Sequence, residues 1–141
     1  MAEKTLKELT EALTLRDELL LESEKLFRTI FNCSPLAKCI TDFETSIVMD
    51  VNVAFCETGG WKKEELVGKT FVEAGLFSLD VRKRVYAELT SKGFIKNMEL
   101  NISTPAMGNV DVILFSKIVM INKSKKILSN IILKDEVCKV C

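Results

Sequence analysis

The chain has 141 residues, of which 48% are apolar and 28% are charged, and its 20 basic and 20 acidic residues give a formal net charge of zero. This length suits one folded domain with an additional helix. A zero net charge gives no general attraction to nucleic acid or to an anionic membrane. No apolar run approaches the ~18 residues of a membrane span, and residues 1–20 lack a signal-peptide core, so we expect a cytoplasmic protein.

The cysteines and the absence of histidine limit metal and redox chemistry. An odd number of cysteines in a chain that can bury its own core favours reduced thiols. Cys33, Cys39 and Cys56 lie among apolar residues, where free cysteine is commonly buried. Cys138 and Cys141 form a C-x-x-C pair, which is half of a metal site, a redox pair or part of a frayed tail. We predict no metal site, and a thiol-redox sensor through this pair is an alternative function.

The first part of the chain has the pattern of one long helix. Apolar residues recur at steps of three and four as far as Ile30, and neither proline nor glycine occurs before Pro35. Because this is the spacing of heptad a and d positions, residues 1–22 are predicted to form a coiled coil between two copies. The predicted dimer interface comprises Leu6, Leu9, Leu13, Leu20 and Phe27.

Two observations keep other arrangements of this helix open. Arg16 and Ser23 interrupt the apolar seam, and a solvated amphipathic helix folded back on the domain would show the same spacing. A second apolar stripe offers a competing register, through Ala12, Leu15, Leu19 and Leu26. Beyond residue 22 the apolar face widens, as in a helix that lies on a sheet, until Pro35 ends the helix.

The next stretch predicts two strands and a compact lid. Strands are expected over Leu36–Thr41 and Ile47–Val51, joined by an irregular turn without glycine. The lid, residues 51–69, is predicted to contain two short helices separated by Gly59 and Gly60. Such short helices bury little surface alone, so Val53, Phe55, Trp61 and Leu66 are expected to point at a larger apolar surface.

The second half predicts one helix and three more strands. Residues 70–79 suggest a helical turn, and Asp80 is the predicted N-cap of a helix that ends near Ser91. Strands are expected over residues 95–102, 110–121 and 126–134, with turns at residues 107–109 and 122–125. The predicted fold class is α+β, with a five-stranded antiparallel sheet, short helices inserted between strands 2 and 3, and a long N-terminal helix.

Two motifs resemble those of PAS domains. The run F-x-x-I-F-x-x-S-P at residues 27–35, before an apolar strand, resembles the start of a PAS core. Asn52 after a strand, an aromatic residue at Phe55, Gly60-Trp61, a charged pair and E-E-L-x-G-K at residues 64–69 resemble the core signature. With the order of elements, the resemblance covers residues 23–135.

The resemblance implies a sensory or dimerisation module. In PAS proteins a ligand or partner shifts the sheet, and flanking helices carry the shift to an effector domain, often a histidine kinase. Asp135 stands where PAS proteins place the aspartate of an output triplet, although Glu136 and Val137 depart from it. Residues 136–141 are expected to be a tail or a linker to a missing effector domain. The alternative is a scaffold that dimerises without a ligand.

No cofactor is predicted, and missing residues exclude or disfavour several classes of cofactor. Histidine-ligated haem is excluded because the chain has no histidine. The flavin-binding branch of the family carries an asparagine-cysteine-arginine motif after the lid, and this chain has no cysteine there, so flavin is not expected. The G-K-T at residues 68–70 lacks the upstream glycine of a phosphate-binding loop.

A small ligand would lie between the sheet and the lid. The candidate pocket comprises Cys39, Asn52, Phe55, Trp61, Phe71, Phe77, Met98, Leu100, Leu114 and Ser116. Each has a structural alternative: Asn52 can hold the lid's backbone, and the apolar side chains can simply fill the core. Because no pair of acids is placed for acid–base chemistry, we do not expect an enzyme.

Overall fold

The computed structural model describes residues 2–135, so Cys138 and Cys141 lie outside the described residues. The chain divides between Cys33 and Ser34 into a helical unit and an α+β unit. None of the described helices is long and apolar enough to span a membrane.

The helical unit is the single helix α1 (Ala2–Cys33), which runs unbroken past the domain boundary predicted at residue 22. At ~1.5 Å per residue its 32 residues extend over ~48 Å. Every residue from 5 to 30 is exposed. The predicted interface residues Leu6, Leu9, Leu13, Leu20 and Phe27 keep 49% to 63% of their surface accessible. A single chain therefore leaves this apolar seam uncovered.

The α+β unit contains five strands and three short helices. The strands are β1 (Ala37–Asp42), β2 (Val48–Val51), β3 (Phe94–Thr104), β4 (Gly108–Ile121) and β5 (Ser124–Leu133). The helices are α2 (Val53–Gly59), α3 (Lys63–Leu66) and α4 (Leu79–Lys92). The strands form one antiparallel sheet in the order β2-β1-β5-β4-β3, and the helices lie between β2 and β3 in sequence. The predicted fold class is confirmed.

The core lies between one face of the sheet and the helices. Leu100 and Ile102 on β3 and Val112 and Leu114 on β4 are buried at alternate positions, as the period of a strand requires. Asn97 has a positive φ of 60°, and the pairing of β3 with β4 shifts between Ile95 and Met98. This irregularity follows from the αL conformation that asparagine tolerates.

Both predicted hairpin turns differ from the structure by a small shift. Asn122 and Lys123, with φ values of 49° and 64°, form a two-residue turn, and β5 begins directly afterwards at Ser124. Positive φ at both central residues is the conformation that matches the twist of the flanking strands. The other turn occupies residues 105–107, because Gly108 already pairs with Thr104.

The lid forms as predicted, with one exception. Phe55 and Leu66 are buried, and Trp61 packs against the core. Val53, however, is 47% exposed. It precedes Phe55 by two residues, which places the two side chains on opposite sides of α2.

The predicted N-cap of α4 is wrong. Ser78, not Asp80, caps the helix, since its Oγ accepts a hydrogen bond from the Val81 amide at 3.3 Å. Asp80 lies in the first turn, where a carboxylate interacts favourably with the helix dipole. Before it, residues 70–77 form successive turns, one of which closes by a bond from the Ala74 amide to the Thr70 carbonyl.

Candidate functional site

Two neighbouring cavities lie against the sheet, and the larger of this pair lies between the sheet and the segment that runs from residue 70 into α4. Its volume is about 50 Å³. Five of the predicted pocket residues line it, namely Cys39, Phe71, Phe77, Leu100 and Leu114. The volume is well below the ~300–1,000 Å³ of sites for drug-sized ligands. The arrangement therefore suits a molecule of a few heavy atoms.

A second cavity of about 30 Å³ lies beside α2. It is lined by the other two aromatic residues of the predicted pocket, Phe55 and Trp61. The two cavities share part of their walls, formed by Leu76, Ile102, Val112 and Ile131. The predicted pocket is thus divided into two compartments by apolar side chains.

The indole N–H of Trp61 is buried and has no hydrogen-bond partner among the described residues. The edge of the ring that carries it lies against Gly59, where an added Cβ would come within 2.6 Å of the ring. Glycine at this position is therefore required for the ring to pack. The unpaired donor carries a free-energy cost, since a buried polar group ordinarily finds a partner.

The structure places Asn52 in the backbone framework and not in either cavity. Its side chain is fully buried and accepts hydrogen bonds from the amides of Lys38 and Phe55, both at 2.9 Å. Its Nδ2 donates to the carbonyl of Leu36 at 2.8 Å. Asn52 thus caps α2 and holds that helix against the start of β1.

Ser116 and Met98 also lie outside the cavity linings. The Oγ atoms of Ser116 and Ser129 are 2.7 Å apart, and only Ser129 lines the larger cavity. Met98 packs against the core. It follows the irregular part of β3, which changes the local alternation.

Five polar residues that the sequence analysis missed also line the larger cavity, namely Thr41, Ser46, Thr70, Arg82 and Tyr86. The surface of the cavity is nevertheless almost wholly apolar. Ser46 Oγ donates to the Tyr86 hydroxyl at 2.7 Å, and that hydroxyl donates to the carbonyl of Phe43 at 3.0 Å. The Arg82 guanidinium lies 5.6 Å from the centre of the Tyr86 ring. The alternation of Cys39 and Thr41 on β1 could have identified Thr41 as a lining residue. No local pattern in the sequence could have predicted that α4 approaches the β1–β2 turn.

Two of the described cysteines, Cys39 and Cys56, are unsuited to nucleophilic chemistry. Burial raises the pKa of the Cys39 thiol to about 12, although a hydrogen bond with Ser129 acts in the opposite direction. Burial also raises the pKa of Cys56. Because the thiolate is the reactive form, these two side chains act as small core residues at neutral pH.

The structure gives little information on the predicted output residue Asp135 or on metal binding. Asp135 is the last described residue and is exposed. No group of three or more cysteine, aspartate or glutamate side chains within residues 2–135 is arranged to hold a metal ion. The surface of the larger cavity is almost wholly apolar, which suits a small apolar molecule.

Comparisons with known proteins bear on the fold. No protein-family model and no curated protein matches the sequence. Among solved structures, the PAS domain of an HTR-like protein from Haloarcula marismortui has a TM-score of 0.64 at 16% identity, covering 84% of this chain and 97% of that one. A domain of a sensory box sensor histidine kinase/response regulator from Geobacter sulfurreducens has a TM-score of 0.61 at 21% identity, covering 79% and 95%.

A third neighbour was solved with a small molecule. The PAS domain of a LuxR-family transcriptional regulator from Burkholderia thailandensis, in complex with ethanol, has a TM-score of 0.59 at 12% identity and covers 74% of this chain and 94% of that one. Identities this low compare folds and not functions. Together with the strand order and the inserted helices, they establish that this chain has the fold of a PAS domain.

Proposed function

We propose that the chain is the sensory module of a signalling protein, in which a small ligand in the sheet cavity changes the state of a homodimer. The observation that carries the proposal is the cavity between the sheet and α4, whose surface is almost wholly apolar. A solved structure of the same fold is a complex with ethanol, which is a molecule of a few heavy atoms.

The proposed dimer forms through α1. Its uncovered leucines recur at heptad spacing over a helix much longer than a domain of this size needs. Two such helices side by side would bury the seam. A parallel pair would also place the two sensory units at the same end of the coiled coil.

A sensor histidine kinase is the proposed parent protein, with Asp135 at the start of the connection to a C-terminal effector domain. The neighbour from Geobacter sulfurreducens, from a protein of that description, supports this assignment. A cytoplasmic location is proposed because Cys33, Cys39 and Cys56 are unbridged. The module itself is proposed to be non-catalytic.

Native mass spectrometry of protein purified from its own host tests the proposal, with the denatured mass of the same sample as its control. We expect a stoichiometric extra mass in the native spectrum that disappears on denaturation, and a dimer whose dissociation changes when that molecule is removed.

A second candidate function is a scaffold that dimerises without a ligand, and the small volume of the cavity, about 50 Å³, favours it. A dimer that carries no extra mass, and whose dissociation is unaffected by any small molecule that binds the protein, would replace the sensory function with this one.

A further inference from the structure

We propose that the larger cavity binds a neutral apolar molecule of a few heavy atoms, such as a short hydrocarbon, and that the wall it shares with the second cavity limits the size of that molecule. This inference deepens the proposed function, since it rests on ligand binding in the same cavity. It concerns the chemical class and the size of the ligand, which follow from the surface, the volume and the shared wall of the cavity.

The first step is the pairing of polar groups in the lining. Ser46 Oγ donates to the Tyr86 hydroxyl at 2.7 Å, and that hydroxyl donates to the carbonyl of Phe43 at 3.0 Å. The hydroxyl groups of Ser129 and Ser116 bond to each other at 2.7 Å. These groups pair within the protein, and the surface of the cavity is almost wholly apolar. A polar ligand would lose its hydrogen bonds to water without replacing them, which carries a cost in free energy.

The second step is the exclusion of water. The volume of about 50 Å³ is large enough to hold water, but a buried water needs roughly two to four polar partners. Because the apolar surface does not supply them, we expect the cavity to stay dry. Side chains around an empty cavity lose dispersion contacts on that side. A neutral apolar molecule restores these contacts and breaks no hydrogen bond of the protein.

The third step is the size of the ligand. An apolar cavity of ~150 Å³ binds benzene or xenon, whereas the volume here is about 50 Å³. Leu76, Ile102, Val112 and Ile131 form the wall shared with the second cavity, which has a volume of about 30 Å³. A molecule as large as benzene would have to displace this wall. The natural ligand is therefore smaller than benzene.

Methyl NMR spectroscopy of the 141-residue chain, titrated with propane and separately with ethanol, tests the chemical class. The two molecules have the same number of heavy atoms. We expect propane to bind at least about tenfold more tightly, since the hydroxyl of ethanol would lose its hydrogen bonds to water on burial. The shifts should saturate at the methyl groups of Leu100 and Leu114, which line the cavity. They should be absent at Leu66, which is buried in the same core and lines neither cavity.

Benzene tests the shared wall in the same experiment. Ile131→Ala would join the two cavities, so it should bind benzene at least about tenfold more tightly than the natural chain does. Ile118→Ala is the matched control, because Ile118 is also partly buried against the core but lines neither cavity. It should change the binding of benzene at Leu114 by less than about twofold. Ile131→Val is the milder variant if Ile131→Ala fails to fold, and it should change benzene binding in the same direction.

Ethanol that binds as tightly as propane would overturn the apolar class of the ligand and leave the sensory function intact. A charged or strongly polar host molecule in the native mass spectrum would do the same. Equal effects of Ile131→Ala and Ile118→Ala on benzene would overturn the role of the shared wall. If propane, ethanol and benzene all fail to bind and no host molecule is captured, both proposals fail.

Discussion

Asn52 is the residue on which the junction of β1, β2 and α2 depends most. A single buried side chain satisfies two backbone amides and one backbone carbonyl, in two segments of the chain, the start of β1 and the first turn of α2. Ordinary N-caps satisfy one amide, as Ser78 does on α4. Loss of the Asn52 side chain should therefore lower the free energy of unfolding more than loss of the Ser78 side chain.

Asn52→Ala is expected to lower the free energy of unfolding by roughly 3 kcal/mol, because it removes a cap and leaves buried backbone groups unpaired. Ser78→Ala, the control at an ordinary cap, should cost about 1 kcal/mol. Urea denaturation of the two variants measures both values. Equal losses would show that the bonds of Asn52 to Lys38 and Leu36 contribute little.

Asp42 gives the β1–β2 turn a pH dependence. Its Oδ1 lies 2.8 Å from Lys126 Nζ, and its Oδ2 accepts from the amide and hydroxyl of Thr45. The bond with Lys126, followed by those with Thr45, lowers the pKa of Asp42 from 3.8 to about 2. A lowered carboxylate pKa means that the stabilisation is present above pH 3.8 and is lost as the pH falls towards 2.

We therefore expect the unfolding free energy of the natural chain to fall more steeply between pH 4 and pH 2 than that of Asp42→Asn. Thermal unfolding of both proteins across this interval measures the slope. Glu44→Gln, at an exposed acid two residues further along the same turn, controls for the general effect of removing a negative charge. Parallel curves for Asp42→Asn and the natural chain would contradict the assignment.

At the scale of elements, the end of α2 is positioned by its contact with the β3–β4 turn. The Ala106 amide donates to the Gly59 carbonyl at 3.0 Å. Gly60, in the left-handed conformation with φ of 75°, ends the helix, and a Cβ there would lie 2.8 Å from the Cβ of Ala106. Both its conformation and its close approach require glycine.

Gly60→Ala should lower the free energy of unfolding by about 1 kcal/mol more than Gly93→Ala. Both positions have positive φ, where a side chain costs about 1–2 kcal/mol. Only Gly60 has a neighbour that an added Cβ would strike, since nothing lies within 4 Å at Gly93. Chemical denaturation of the two variants compares them, and equal losses would mean that the Ala106 contact relaxes without cost.

At the scale of the whole molecule, the proposed dimer depends on the seam of α1. Leu13→Asp together with Leu20→Asp should yield a folded monomer, because two charges would enter the centre of a coiled coil. Thr14→Asp with Leu21→Asp has the same spacing but lies outside the seam, and it should remain dimeric. Multi-angle light scattering measures the mass, and circular dichroism reports whether the domain is folded. A dimer that survives the first pair would place the interface elsewhere.

Local patterns were sufficient for much of the fold. Alternating residues on β3 predicted a strand with one buried face, and Gly93 predicted the end of α4, because each depends on only a few neighbouring residues. Asp80 was predicted as the N-cap from its residue type, but serine, the residue at position 78, is an equally good cap. Only the path of the preceding turns distinguishes them.

The candidate site was predictable only in part. Cys39 and Leu100 belong to inward faces of regular strands, so period-two alternation identified them. Arg82 and Tyr86 meet Ser46 because α4 crosses close to the β1–β2 turn. The two residues joined by the Ser46–Tyr86 hydrogen bond are 40 positions apart in the sequence. Ser46 also adopts a positive φ of 64°, a conformation that its residue type does not predict.

The sequence by itself determined the order of helices and strands, the inward faces of the strands and the long apolar seam of α1, because periodicity and turn chemistry act over a few residues. The tertiary structure decided that the space inside the sheet is divided into two small cavities and that Asn52 belongs to the framework. It also decided that Ser46, Arg82 and Tyr86 meet at the wall of one cavity. These features depend on side chains from distant segments that meet at one place. A local sequence pattern does not determine the distance between segments that are far apart in the chain.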